Sequence, residues 1–332
     1  MTTAPVATGV RRVSLRDAAG AAGGRRPPSP GRRRPEGATA SEVGRARRKA
    51  VGIGLGFLAP AAAFYLLFVI LPWLHSIQIS FYDWDGVGEG TWAGLRNYAK
   101  VFSEPALVDA LTNAVGFILF YTVVPVLLGL ILAQIIAARR RRGEGVLRTI
   151  LFLPQILPLV AVGTVFRYLY GQDGPINQVL TWIGLGGAKR AWLGDFSTAY
   201  VAVGIVGTWV TTGLCTVLML AGIQKIDPEL YEAARLDGAG KAAEFRYITA
   251  PGLRREVVVA SMITMVSALA SFDVVYATTM GGPGSVTMVP GVMIYQLVFM
   301  ANRVGVACAL ATVLSAFTLC LVAALNRLGR ER

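Results

Sequence analysis

The apolar positions of this chain gather into six long runs separated by shorter polar segments: Gly52–Trp73, Asn113–Ile136, Thr149–Leu169, Tyr200–Ile223, Val257–Tyr276 and Gly305–Leu325. A helix needs about 20 largely apolar residues to cross a bilayer, and each run supplies them. The pattern predicts an all-α polytopic membrane protein with six transmembrane helices. Pro60, Pro72, Pro125, Pro154 and Pro158 lie in or at the ends of runs, so neighbouring helices must satisfy the carbonyls that proline releases. Gly116, Gly129, Gly163, Gly204 and Gly207 permit close helix approach. Asn113, Gln134, Gln155, Thr208, Thr211, Thr212, Ser267 and Ser271 read as hydrogen-bonding groups of a bundle with a partly polar interior.

Between the fourth and fifth runs the pattern changes to short helices with clear stops. In residues 226–253, Asp227 is placed to cap a helix with Pro228 at its first position, and Glu229 and Glu232 fall at the positive end of its dipole. Leu230, Ala233 and Ala234 share one face, and Glu229, Glu232 and Arg235 another. Asp237-Gly238 ends this helix. A second stretch begins near Lys241, presents Phe245 and Ile248, and stops at Pro251. The first helix, roughly 15 Å long, is too short and polar to span lipid, and its small side chains and balanced charges suit docking against a soluble protein.

Charge orients the runs. Of 32 Lys and Arg residues, 26 fall in 1–50, 139–148, 224–256 and 326–332, which puts those segments and both termini inside by the positive-inside rule. The net charge of +13 is concentrated in residues 1–50, a basic, Gly/Pro/Ala/Ser-rich tail without the composition to bury a core. No aromatic residue precedes Phe57, which argues against a nucleic-acid-binding arm. The domain reading is a disordered cytoplasmic tail (1–50), a six-helix membrane domain (51–326) and a short cytoplasmic C-terminus (327–332).

Catalytic and metal chemistry have little material. His75 is the single histidine, and Cys215, Cys308 and Cys320 lie inside apolar runs, where cysteine acts as a small hydrophobe. No metal or cofactor is expected on this chain. The string Gly238-Ala239-Gly240-Lys241-Ala242 fails the phosphate-loop pattern, with Arg235 where the first glycine belongs and Ala242 in place of Ser or Thr. An acid inside a membrane span is a functional candidate. Asp273 is one, beside Ser271, Phe272 and Tyr276, groups with aromatic faces and hydrogen-bonding tips; Gln155 and Trp209 are further candidates for a substrate path.

The segment Glu232-Ala233-Ala234-Arg235-Leu236-Asp237-Gly238-Ala239, followed by Phe245, Ile248, Thr249, Pro251 and Leu253, closely resembles the EAA loop of ABC importer permeases. Gly94-Leu95-Arg96-Asn97-Tyr98 is similar to the G-L-x-N-Y element of that family. Phe272-Asp273, Gly281-Gly282-Pro283, Thr287 and Tyr295 resemble the motif run of its carbohydrate-uptake members, in particular the maltose-permease-like first subunit. The resemblance spans roughly 51–326.

That resemblance implies the type I ABC importer permease fold and a permease subunit of a binding-protein-dependent sugar importer, with di- or oligosaccharides as cargo, in a bacterial cytoplasmic membrane. Implied partners are a second homologous permease, two ATPase subunits that carry ATP and magnesium, and an extracytoplasmic sugar-binding lipoprotein. Glu232 is then the charged contact with the ATPase, Ala233 and Ala234 its close-packed face, Gly238 the bend, and Asp237, Phe245 and Pro251 further parts of the coupling loop. Glu244 departs from the bulky apolar residue that many relatives place before the Phe. An ion-coupled secondary transporter of a small polar solute is the competing class. It leaves the docking loop unexplained, and no convincing inverted repeat is present.

Overall fold

The computed structural model describes residues 40–137 and 144–330. Most of the basic tail, residues 1–39, therefore lies outside the described residues, as does the arginine run 139–142. The chain divides into two units, Met1–Leu66 and Leu67–Arg332. The first contains α1 (Ala40–Tyr65). This helix reaches back into residues assigned above to a tail, because Ala, Glu, Arg and Lys between 40 and 50 are good helix formers.

The second unit is almost wholly helical. It opens with α2 (Leu71–Ile79), a two-stranded hairpin of β1 (Tyr82–Asp83) and β2 (Thr91–Trp92), and α3 (Arg96–Ser103). The second run is α4 (Pro105–Ile118) and α5 (Val124–Ala137). The third is α6 (Glu144–Ile156) and α7 (Leu159–Leu169), followed by α8 (Pro175–Trp182). The fourth is α9 (Ala199–Ile223). Short helices α10 (Pro228–Leu236), α11 (Lys241–Glu244) and α12 (Ala250–Gly252) form the polar loop. Then come α13 (Arg254–Leu269), α14 (Phe272–Thr278), α15 (Pro290–Phe299) and α16 (Val304–Arg330).

Among the described residues, four helical runs are long and apolar enough to cross a membrane: Val51–Ile79, Pro105–Ala137, Ala199–Ile223 and Val304–Arg327. The third and fifth expected spans are not straight helices. Gly145–Ile156 and Leu159–Leu169 meet at 95°, and Arg254–Leu269 and Phe272–Thr278 at 44°. The count is six if each bent pair is one span. Pro158 explains the first break: it has no N–H to continue the ladder and it disfavours helical backbone at Leu157. Its own ψ of 124° starts α7 afresh.

Proline also sets a second feature. Among the described residues, three π-helical turns, Leu66–Ile70, Leu119–Val123 and Phe245–Thr249, each end two residues before a proline: Pro72, Pro125 and Pro251. The proline ring crowds the carbonyl four residues back and offers it no donor, so the helix widens by one residue. At Pro125 the consequence is visible. The Val124 N–H bonds Leu119 O, and the carbonyls of Phe120 and Tyr121 are taken up by α9, where Thr208 Oγ1 donates to Phe120 O at 2.6 Å and Thr211 Oγ1 to Tyr121 O at 3.1 Å.

Glycines let the helices come that close. A Cβ at Gly207 would enter the Tyr121 ring, one at Gly204 the Phe120 ring, and one at Gly129 would meet Cys215 and the Thr216 nitrogen. On the other side of α9, a Cβ at Gly213 would collide with the Leu151 carbonyl of α6. Phe117, Tyr121, Val203, Val206, Val274 and Val292 are among the side chains of the resulting main core.

These bonds make a sharp prediction. Thr211→Val should lower stability in mild detergent by about 1 kcal/mol, the scale of a hydrogen bond between membrane helices. Pro125→Ala restores an N–H facing the Tyr121 carbonyl, so Thr211→Val should cost measurably less in that background. Additive melting-temperature shifts in the double-mutant cycle would refute the account.

Candidate functional site

Two regions concentrate the candidate residues, and the loop of residues 226–253 is the better defined. Asp227 Oδ1 accepts the Glu229 N–H at 3.0 Å, and Pro228 starts α10. At the other end Gly238 has φ +84°. Its N–H bonds Arg235 O at 3.1 Å, and the Ala239 N–H reaches Ala234 O at 2.9 Å. Those two bonds close the helix end in the paired pattern that a left-handed residue permits, with Asp237 as the C-cap. Nothing lies within 4 Å of a Cβ built at Gly238, so the glycine is required by backbone conformation and not by crowding.

The two halves of the loop are clipped together. Arg235 Nε donates to Glu244 Oε1 at 2.7 Å and Nη2 to Oε2 at 3.3 Å. The two-pronged geometry is that of a strong guanidinium–carboxylate pair. It gives a role to Glu244, which departs from the bulky residue expected there. Hydrogen bonding to Arg235 holds the Glu244 carboxyl below its ordinary pKa. Tyr231 and Thr249 share a second tie, hydroxyl to hydroxyl at 2.9 Å. With its interior fixed, α10 turns Glu232, Ala233 and Leu236 outward, the last 89% exposed. Ala234 and Phe245 are half-buried and Pro251 is exposed.

The second region surrounds the break between α13 and α14. Ser271 is buried there and its Oγ has no hydrogen-bond partner. Phe272 stacks on Tyr276 with ring centroids 5.0 Å apart, Tyr276 meets Tyr295 edge-on at 5.3 Å, and Tyr295 meets Phe299 at 5.1 Å. Four rings thus form a ladder across α14 and α15. Asp273 sits half-buried in the first turn of α14, where the helix dipole favours its charge. Among the described residues it makes no ion pair, with Arg167 or any other group.

The structure therefore brings together Ser271, Phe272, Asp273 and Tyr276. Trp209 lies edge-on to Phe166 at 5.3 Å. Gln155 lies on α6, with its Oε1 buried and unpartnered. Two rings of the ladder, Tyr295 and Phe299, were not among the candidate site residues read from the sequence. The signal was the i, i+4 spacing of aromatics in both short helices.

A clamp holds this region. Asn113 of α4 donates to Ser285 O at 3.1 Å and Met288 O at 3.0 Å, and the Tyr200 hydroxyl donates to Asn113 O at 2.7 Å. Thr287, fully buried, donates to Gly282 O at 2.7 Å. The Gly281-Gly282-Pro283 turn is so fixed to the second and fourth runs. The other motif is likewise structural: Asn97, fully buried, donates to Ser80 O at 3.0 Å and Tyr82 O at 2.8 Å, and the hydroxyls of Tyr98 and Ser80 lie 2.6 Å apart.

Comparison with known proteins decides the family. The model of the binding-protein-dependent transport system inner membrane component matches residues 125–330. The chain belongs to that family. It is a multi-pass membrane permease subunit of an ABC transport system and not an enzyme. It is 39% identical to the probable ABC transporter permease protein YurN of Bacillus subtilis (strain 168), covering 80% of this chain and 91% of that one. It is 33% identical to the lactose transport system permease protein LacF of Rhizobium radiobacter, covering 73% and 82%. In fold it matches a bacterial ABC transporter involved in the import of the acidic polysaccharide alginate, with TM-score 0.72 over 85% of this chain and 96% of that one, at 24% identity. The permease's loop and its fifth run both lie within the matched residues.

The clip predicts a titration. In the intact permease Glu244 stays ionised from neutral pH down through its lowered pKa, and only below that is the clip lost. Arg235→Gln should raise the pH at which this carboxyl titrates, read by isotope-edited infrared spectroscopy. An unchanged titration would show that Arg235 does not hold it.

Proposed function

We propose that this permease is one half of the translocation path of an ATP-driven importer of di- or oligosaccharides. It would pair with a second homologous permease in a bacterial cytoplasmic membrane, both termini inside. Two ATPase subunits would bind ATP and magnesium below it, and a sugar-binding lipoprotein would dock above. The observation that carries the reading is the loop: a short helix closed at both ends, internally clipped, with Glu232, Ala233 and Leu236 outward. Such an element transmits displacement because its own hydrogen bonds resist deformation.

ATP-driven closure of the ATPases would move this loop, and with it α9 and α13 at its two ends. The work depends on ATP favouring one conformation of the whole assembly over the other. Sugar as cargo is supported by the ring ladder of Phe272, Tyr276, Tyr295 and Phe299, whose faces suit the apolar faces of pyranose rings. Asp273 and Ser271 beside it would bond sugar hydroxyls. The relative named for lactose transport supports the same class.

The test is binding-protein-dependent uptake of a labelled disaccharide panel by the reconstituted complex. Uptake should require ATP; uptake driven by an ion gradient without ATP would favour a secondary transporter. Glu232→Ala and Gly238→Val should abolish uptake while ATPase subunits still hydrolyse ATP. The valine forces a left-handed β-branched residue, at a cost of about 1–2 kcal/mol to the helix end. Tyr295→Ala should lower uptake with hydrolysis intact. Normal uptake by all three variants would sink the proposal.

A further inference from the structure

A cavity of about 770 Å³ lies between the end of α5 and the loop. Its apolar wall is Leu130, Ile131 and Ile135 of α5, Ile223 at the end of α9, and Phe245 of the loop. Its charged lining residues are Arg235, Lys241 and Glu244, beside the polar Gln134, Tyr231 and Thr249. Arg235 and Glu244 neutralise one another. Lys241 has no ion pair among the described residues, so the described lining carries one excess positive charge.

The apolar wall continues along the helix. Leu127, Ile131 and Ile135, at i, i+4 and i+8, are 54%, 55% and 53% exposed. They form one stripe of roughly 12 Å on the outside of a membrane span. The cavity thus joins an exposed apolar stripe at bilayer depth to a cationic rim at the end of the span. An acyl chain needs the first and a phosphodiester headgroup the second.

We propose that this cavity binds a phospholipid with an anionic headgroup, its chain along Leu127, Ile131 and Ile135 and its phosphate against Lys241. One wall belongs to a span and the other to the loop, so the lipid bridges the two. Its occupancy would favour the loop position in which the rim is closed on the headgroup. Basic pockets at the ends of membrane helices are suited to such headgroups.

The probe is the full-length permease in nanodiscs of phosphatidylcholine doped with phosphatidylglycerol, its retained lipids identified by native mass spectrometry. Phosphatidylglycerol should be retained in preference. Lys241→Gln should cut that preference about fivefold, the worth of one basic residue near a headgroup. Lys241→Arg should keep it, as should Lys189→Gln, on an exposed cation far along the chain. Equal retention of both lipids, or a preference untouched by Lys241→Gln, would overturn the site. A photoreactive benzoylphenylalanine replacing Ile131, with Lys241 intact, gives an independent reading in the assembled transporter. Lipid adducts support the proposal; adducts to another protein subunit alone would show the cavity to be a subunit interface and end it.

Discussion

The arrangement of this permease depends on how the carbonyls released at Pro125 find donors. In lipid an unpaired carbonyl has no water to turn to. Here Phe120 and Tyr121 receive the hydroxyls of Thr208 and Thr211. The bonds are possible only because Gly204 and Gly207 let the two aromatic rings lie directly on α9. Proline, threonine and glycine form one device: the first creates a polar demand, the second meets it, the third brings the helices near enough. It fixes the second run against the fourth, and the rest of the core is built around that pair.

From that pair the two candidate regions take their places. Asn113, on the second run, and Tyr200, on the fourth, hold the turn after α14, so the ring ladder stands on the same foundation. At its other end α9 runs into the loop of residues 226–253, where Asp227 caps α10. Loop and ladder are thus linked through one helix, and within the loop Arg235 pairs with Glu244. A second pair, Arg303 with Glu104 at 3.0 Å, ties residues 199 apart in sequence ahead of α16. Hydrogen bonding to Arg303 keeps the Glu104 carboxyl below its usual range.

Breaks serve the site as much as helices do. The interruption at Ala270–Ser271 leaves the Ser271 hydroxyl unpartnered and starts a new helix whose first turn holds Asp273. Exposed polar groups at membrane depth are tolerated where backbone is irregular and faces protein or a cavity. The fifth run is polar there for that structural reason, and the proposed cargo path lies at that break.

Much of this was legible in the sequence because its causes are local. Twenty apolar residues make a span whatever surrounds them, and Asp-Pro at one end with Asp-Gly at the other bounds a helix by backbone chemistry alone. The helix boundaries of residues 226–253 were readable to within a residue for that reason, and so was the need for donors near Pro125. Which donors answered, Thr208 and Thr211, and that Asn113 would reach the turn at residues 285–288, was decided by tertiary packing. So were the 95° turn at Pro158, the pairing of Glu244 with Arg235, and the grouping of Tyr295 and Phe299 with Phe272 and Tyr276. Each depends on two segments meeting in space, and hydrophobicity says that a helix is buried in a membrane without saying which neighbour it faces.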